Sequence, residues 1–272
     1  SRISTGSLRR TPSKGAPAGP ASAASALFSP RARRMLRPSS DSSDSDAGNA
    51  QPEAAAPVRL HGLWLAHSRD DAPILLYLHG ARFDVRSSAQ RMRRMHELGF
   101  AVLAVDYRGF GQSSEALPSE HSAAEDAQAA WDWLAARYPT RQRYLFGHSL
   151  GGAIAMRIAP QARELRGLIV EGSFPSMHGV IASMKWGWLP FGPLLTQRFD
   201  AGLRIDELKA PVLVVHGSDD ALVKPQLGRA LFERATAPKR FVLVEGGNHH
   251  NTNSIGQPQY RAAIAELFGI GT

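Results

Sequence analysis

Arg143-Tyr144-Leu145-Phe146-Gly147-His148-Ser149-Leu150-Gly151-Gly152-Ala153-Ile154-Ala155 reads as a short apolar strand, a sharp turn carrying one serine, and then a helix of small residues. In a chain with 25 glycines a Gly-x-Ser-x-Gly pattern is weak by itself. A strand before it and a helix after it turn it into a nucleophile elbow. Such a turn strains the serine backbone and pushes the hydroxyl clear of the sheet, while Gly147 and Gly151 let neighbouring backbone pass closely. Ser149 also stands at a helix N-terminus, where unpaired N–H groups favour developing negative charge. The bland alternative is a serine N-cap on an ordinary βα turn, and it weakens as partners appear further along the chain.

Outward from the elbow, short aliphatic runs at 60–65, 74–79, 100–106, 143–146, 167–171, 211–216 and 240–245 predict strands. Helical patterns at 87–98, 122–138, 150–159, 225–234 and 258–268 fill the gaps. That alternation predicts an α/β fold with a mostly parallel sheet and helices on both faces. In the second helix Trp131 recurs with Ala123, Ala127, Ala130 and Leu134 at helical spacing, which makes it core. Between 172 and 208 the alternation breaks, and Met177, Val180, Ile181, Met184 and Trp188 suggest a small cap insertion at about 173–208. It either lines an acyl pocket or packs on the sheet. Residues 1–57 are rich in Ser, Ala, Pro, Gly and Arg, bury too little to offset ordering entropy, and are expected to be disordered. One catalytic domain at 58–272 remains.

The first forty residues contain no acid, in the manner of an organelle transit peptide or a linker, and the chain begins at Ser1 rather than Met. No apolar run approaches the roughly 20 residues needed to span a bilayer, so a soluble, cytoplasmic protein without stable membrane insertion is expected. The absence of cysteine removes disulfides, a thiol nucleophile and cysteine-bound zinc. The formal charge of +8 invites a nucleic-acid reading, but residues 1–57 carry eight basic against four acidic residues and the rest is dispersed. The densest patch, Arg86, Arg91, Arg93 and Arg94, reads as a solvated helix face, with no nucleic-acid motif beside it. Asp41, Asp44 and Asp46 lack the glycine and distal glutamate of a calcium loop. No cofactor and no metal are expected.

A serine hydroxyl needs a base within reach and a third group to orient that base. In an open parallel sheet such groups come from loops beyond the carboxyl ends of strands. Two later strand ends offer them: His216-Gly217-Ser218-Asp219-Asp220 and Gly246-Gly247-Asn248-His249-His250. The order is Ser, Asp, His, with two adjacent acids and two adjacent histidines to choose from. The block 106–113 has two glycines but lacks the Lys-Ser/Thr ending of a phosphate loop, so it reads as a structural turn.

Tyr77-Leu78-His79-Gly80, Asp106 to Ser113, Gly147 to Gly152, His216-Gly217 with Asp220, and Gly246-Gly247-Asn248-His249 together resemble the α/β-hydrolase superfamily. The nearest branch is the bacterial lysophospholipase and serine aminopeptidase-like group. The resemblance implies Asp220 rather than Asp219 as the acid, His249 rather than His250 as the base, and the backbone N–H groups of Ala81 and Leu150 as an oxyanion hole. Ala81-Arg82-Phe83-Asp84 departs from the commoner His-Gly-Asn or His-Gly-Gly continuation, which puts the pocket wall in question. Arg82, Phe174, Met177 and Trp188 are the candidate pocket residues. The implied activity is a serine hydrolase that takes a small-molecule acyl substrate, a carboxylic ester or thioester, through a Ser149 acyl-enzyme. The alternatives are amide hydrolysis of the serine aminopeptidase kind, with Glu171, Glu115 or Asp84 holding the amine, and a non-catalytic ligand-binding protein of the same fold.

Overall fold

The apolar runs become seven strands in a computed structural model of the protein, which describes residues 57–81, 84–176 and 204–271. They are β1 Gly62–Leu65, β2 Ile74–Leu78, β3 Ala101–Val105, β4 Arg143–His148, β5 Leu165–Glu171, β6 Val212–Gly217 and β7 Lys239–Val244. The sheet order is β1-β3-β2-β4-β5-β6-β7. Only the β1–β3 pair is antiparallel. The interior strands are apolar on both sides because helices cover both faces. Along β2, Ile74, Leu76 and Leu78 enter one core layer while Leu75 and Tyr77 enter the other, the two-residue period of a pleated strand.

The first layer is closed by α2 Glu120–Arg137, α3 Leu150–Ile158 and α4 Pro225–Arg234, the second by α1 Ala89–Glu97 and α6 Gln257–Phe268. Trp131 is fully buried in the first layer. A short helix unforeseen from sequence, α5 Thr252–Ile255, precedes α6. The element bounds otherwise depart from the sequence reading by a few residues, for identifiable reasons. β1 starts at Gly62 rather than 60 because the preceding backbone pairs with a loop: the N–H groups of Arg59 and His61 donate to Ser114 Oγ and Ser113 Oγ, each at 2.8 Å. Helix α2 starts two residues early because Ser119 caps it, its Oγ accepting the N–H of Ser122 at 3.0 Å.

From β2 the chain moves to β3 on one side and then crosses to β4 on the other, so neighbouring strands β2 and β4 send their next segments to opposite faces. A crevice opens at their carboxyl ends, the usual ligand position in an open α/β sheet. Leu78 is in register with Gly147, which sets His79 and Gly80 beside the turn that carries Ser149. All but the last residue of segment 1–57 and most of the expected cap at 173–208 lie outside the described residues.

Candidate active site

Ser149 has φ 55° and ψ −121°, a conformation that costs a non-glycine residue about 1–3 kcal/mol and persists only where its surroundings fix it. Three hydrogen bonds do so. The Ser149 N–H donates to the Glu171 carbonyl, and the Ser149 carbonyl accepts from the Gly152 N–H and from Ser173 Oγ, each at 2.9 Å. A Cβ on Gly147 would stand 2.3 Å from the Gly151 carbonyl oxygen, and one on Gly151 would stand 2.1 Å from that of Leu78. No other residue type fits at either place. Across the crevice, a Cβ on Gly80 would lie 3.3 Å from Ser149 Cβ, so the strand end leading to Ala81 runs alongside the serine. Asp106 steadies the far end of that loop: its carboxylate accepts the Val85 N–H at 2.8 Å and His61 Nδ1–H at 3.0 Å.

The acid and base loops meet because Gly217 lets the Gly246-Gly247 turn pass; a Cβ there would be 2.1 Å from the Gly247 carbonyl oxygen. Asp220 is buried, and its Oδ1 accepts the N–H groups of Leu222 (3.0 Å) and Val223 (2.8 Å). Its Oδ2 accepts a 2.8 Å hydrogen bond from His249 Nδ1. A carboxylate only accepts, so the His249 proton sits on Nδ1 and Nε2 keeps its lone pair. Asp219 is exposed and bonds Ser218 Oγ, and His250 is exposed beside Asn248. Any side chain at Gly172 (φ 55°) would meet His249 Nδ1 at 3.3 Å and Asp220 Oδ2 at 3.4 Å. Of the candidate pocket residues, Phe174 is buried in the first core layer. Arg82, Met177 and Trp188 lie outside the described residues.

The family model described as serine aminopeptidase, S33, matches residues 70–199. An uncharacterized Mycobacterium tuberculosis protein, Rv2307c, is 36% identical over 198 residues, covering 71% of this chain and 69% of its own. The chain belongs to the α/β-hydrolase superfamily. Lysophosphatidylserine lipase ABHD12 of Danio rerio is 29% identical over 186 residues, 61% of this α/β-hydrolase and 48% of the lipase, so the match spans about half that relative. In structure, Est1E of Butyrivibrio proteoclasticus with ferulic acid bound superposes with a TM-score of 0.65 at 18% identity, covering 78% of this chain and 96% of its own. At that identity the superposition speaks for the fold of this α/β-hydrolase. Among its described residues no helix is long and apolar enough to cross a membrane.

Beneath the crevice this α/β-hydrolase holds a charged cluster that its sequence concealed. Arg91, expected on a solvated helix face, turns inward instead: its Nε donates to Glu171 Oε1 at 2.9 Å and its Nη2 to the His250 carbonyl at 3.3 Å. The spacing held the clue, since Arg91 stands four and seven residues before the buried Met95 and Leu98, on one helical face. Arg86 and Arg93 are exposed as expected. The Glu171 carboxylate also accepts the Tyr260 hydroxyl. Burial, reinforced by the Glu171 charge, raises the Tyr260 phenol well above its ordinary range, so it remains a donor. Glu171, a candidate amine-holding acid by sequence, is thus enclosed and engaged.

His79, His148 and His216 are buried, and burial is the largest cause holding each below the ordinary imidazole value of 6.5. The unfolded chain therefore binds protons that the folded protein refuses, so stability rises with pH and falls on acidification below 6.5. The melting temperature is expected to drop between about pH 7.5 and 5.5. Replacing His148 by glutamine, which removes one such group, should flatten the slope; an unchanged slope would refute the assignment.

Proposed function

We propose that this α/β-hydrolase cleaves carboxylic esters or thioesters through an acyl-enzyme on Ser149, with His249 as general base and Asp220 as its orienting acid. The observation that carries this reading is the buried 2.8 Å His249–Asp220 hydrogen bond, at strand ends beside a serine held at φ 55°. With Nδ1–H committed to Asp220, Nε2 of His249 takes the Ser149 proton as Oγ bonds to the acyl carbon. The carbonyl oxygen becomes an oxyanion, met by the N–H groups of Leu150 and Ala81. As the tetrahedral species collapses, the bond to the leaving oxygen or sulfur breaks, and His249 returns its proton to that atom. Water, deprotonated by the same imidazole, then releases the acid and restores Ser149. Residues 58–272 form the catalytic domain in this reading, with 173–208 as a cap that supplies Met177 and Trp188, together with Arg82, to the acyl pocket, while the buried Phe174 packs in the core behind it.

Esters are favoured over peptide-like amides because the acids that could hold a substrate amine are otherwise occupied or remote. Glu171 is enclosed by Arg91 and Tyr260, Asp84 accepts the Ser87 N–H at 2.9 Å, and Glu115 is exposed on the 106–118 loop. The name of the Danio rerio relative supports monoacyl glycerophospholipids as the ester class to try first. A fluorophosphonate is expected to label the wild type on Ser149, located by mass spectrometry, and to leave Ser149→Ala unlabelled. Short and long acyl esters should be hydrolysed faster than amino-acid anilides. No label, or a label elsewhere, refutes the serine mechanism; faster anilide cleavage refutes the ester preference.

A further inference from the structure

The residue just before the elbow serine has no part in the mechanism above, yet it contacts the base-bearing loop from 101 positions away in sequence. His148 ends β4 and is 2% exposed. Its Nε2 lies 2.9 Å from the main-chain carbonyl oxygen of His249, and its ring centroid lies 4.8 Å from the His249 ring. A carbonyl only accepts, so the His148 proton is on Nε2 and that imidazole donates. Burial and the neighbouring Arg91 and His249 keep its pKa well below 6.5, so His148 is a neutral donor at physiological pH.

We infer that His148 is a positioning residue: its Nε2–H hydrogen bond to the His249 carbonyl ties the loop carrying the base to the strand carrying the nucleophile. The inference rests on the proposed roles of Ser149 and His249. The bond joins the two sides directly, from the end of β4 to the backbone of the base itself. Asp220 fixes the His249 ring through Nδ1, which sets its rotation and tautomer. It does not set the distance of the loop from Ser149. Arg91 reinforces the tie from beneath, bridging Glu171 at the end of β5 to the adjacent His250 carbonyl. Glu171 in turn accepts the Ser149 N–H through its own carbonyl, so nucleophile and base loops are both anchored on β5. Nucleophile and base must be held near attack geometry, and a misplacement of about 1 Å costs on the order of 10²-fold in rate.

Glutamine and methionine have nearly the same length, but only glutamine presents an N–H near the position of imidazole Nε2. In His148→Met, kcat for a p-nitrophenyl ester and the rate of fluorophosphonate inactivation are both expected to fall about tenfold to 10²-fold, with KM changed less than threefold. In His148→Gln both rates should return to within about threefold of wild type. A loss of kcat in methionine that glutamine restores supports positioning through the donor. Equal rates in the two variants, whether both high or both low, refute it, since packing alone would treat them alike. Should the methionine variant not fold, His148→Asn, polar but one methylene too short to reach the carbonyl, replaces it with the same expectations. A wild type that neither labels nor hydrolyses any ester would instead refute the serine hydrolase reading, so the two failures are told apart.

Discussion

Asp220→Asn is expected to leave the fold intact and lower kcat about 10⁴-fold, the loss that accompanies a misoriented base tautomer in a serine triad. The direction follows from how the carboxylate is held. Oδ1 accepts two backbone N–H groups, from Leu222 and Val223, and both require an acceptor. The asparagine carbonyl oxygen therefore keeps that position, and the amide nitrogen is turned toward His249 Nδ1. An NH₂ group only donates, so His249 must place its lone pair on Nδ1 and its proton on Nε2. In the proposed triad Nε2 would then offer Ser149 a donor and could not take its proton. Since both N–H bonds survive, the melting temperature should move by a few degrees only. Combining Asp220→Asn with Ser149→Ala should cost little beyond Ser149→Ala alone, because groups that act as a unit are non-additive. A variant retaining a tenth or more of wild-type kcat would rule out Asp220 as the orienting acid.

The strands were legible because residues apolar on both faces of a strand leave no ambiguity about burial, and the register between Leu78 and Gly147 follows from the sheet they build. Pro225, at the first helical position, marks the start of α4 directly, and Gly269 in a left-handed conformation ends α6. The elbow is legible for a stronger reason. Gly147 and Gly151 are demanded by backbone contacts closer than any Cβ tolerates, so their spacing is a geometric constraint written into the sequence. Selection between neighbours is another matter. Asp219 and Asp220, or His249 and His250, are equivalent in composition, and only the turns after β6 and β7 decide which faces inward: Asp219 is tied by its N–H to the Gly247 carbonyl at 2.8 Å and left in solvent. The tie made by His148 was not legible, because its partner is a backbone carbonyl, which leaves no mark in sequence.

Arg91→Met should destabilise the protein by about 3–5 kcal/mol, the cost of stranding a buried charge by deleting its partner. Glu171 is 1% exposed, so water cannot replace the guanidinium, and the Tyr260 hydroxyl alone cannot offset a carboxylate in that setting. The arginine side chain is mostly enclosed as well, at 12% exposure, which separates this pair from surface ion pairs worth less than about 1 kcal/mol. The penalty belongs to the broken pair and not to lost attraction, and this makes a second expectation. Removing these three polar groups together, as Arg91→Met with Glu171→Met and Tyr260→Phe, should regain part of the loss, since no buried charge is then stranded while the Tyr77 and Asn253 side chains that also bond into the cluster remain. Urea denaturation midpoints at unchanged slope measure both steps. A single variant within about 1 kcal/mol of wild type would mean the pair is solvated in solution. A triple variant no better than the single would mean that the geometry of α1 against β5, rather than the buried charge, sets the cost.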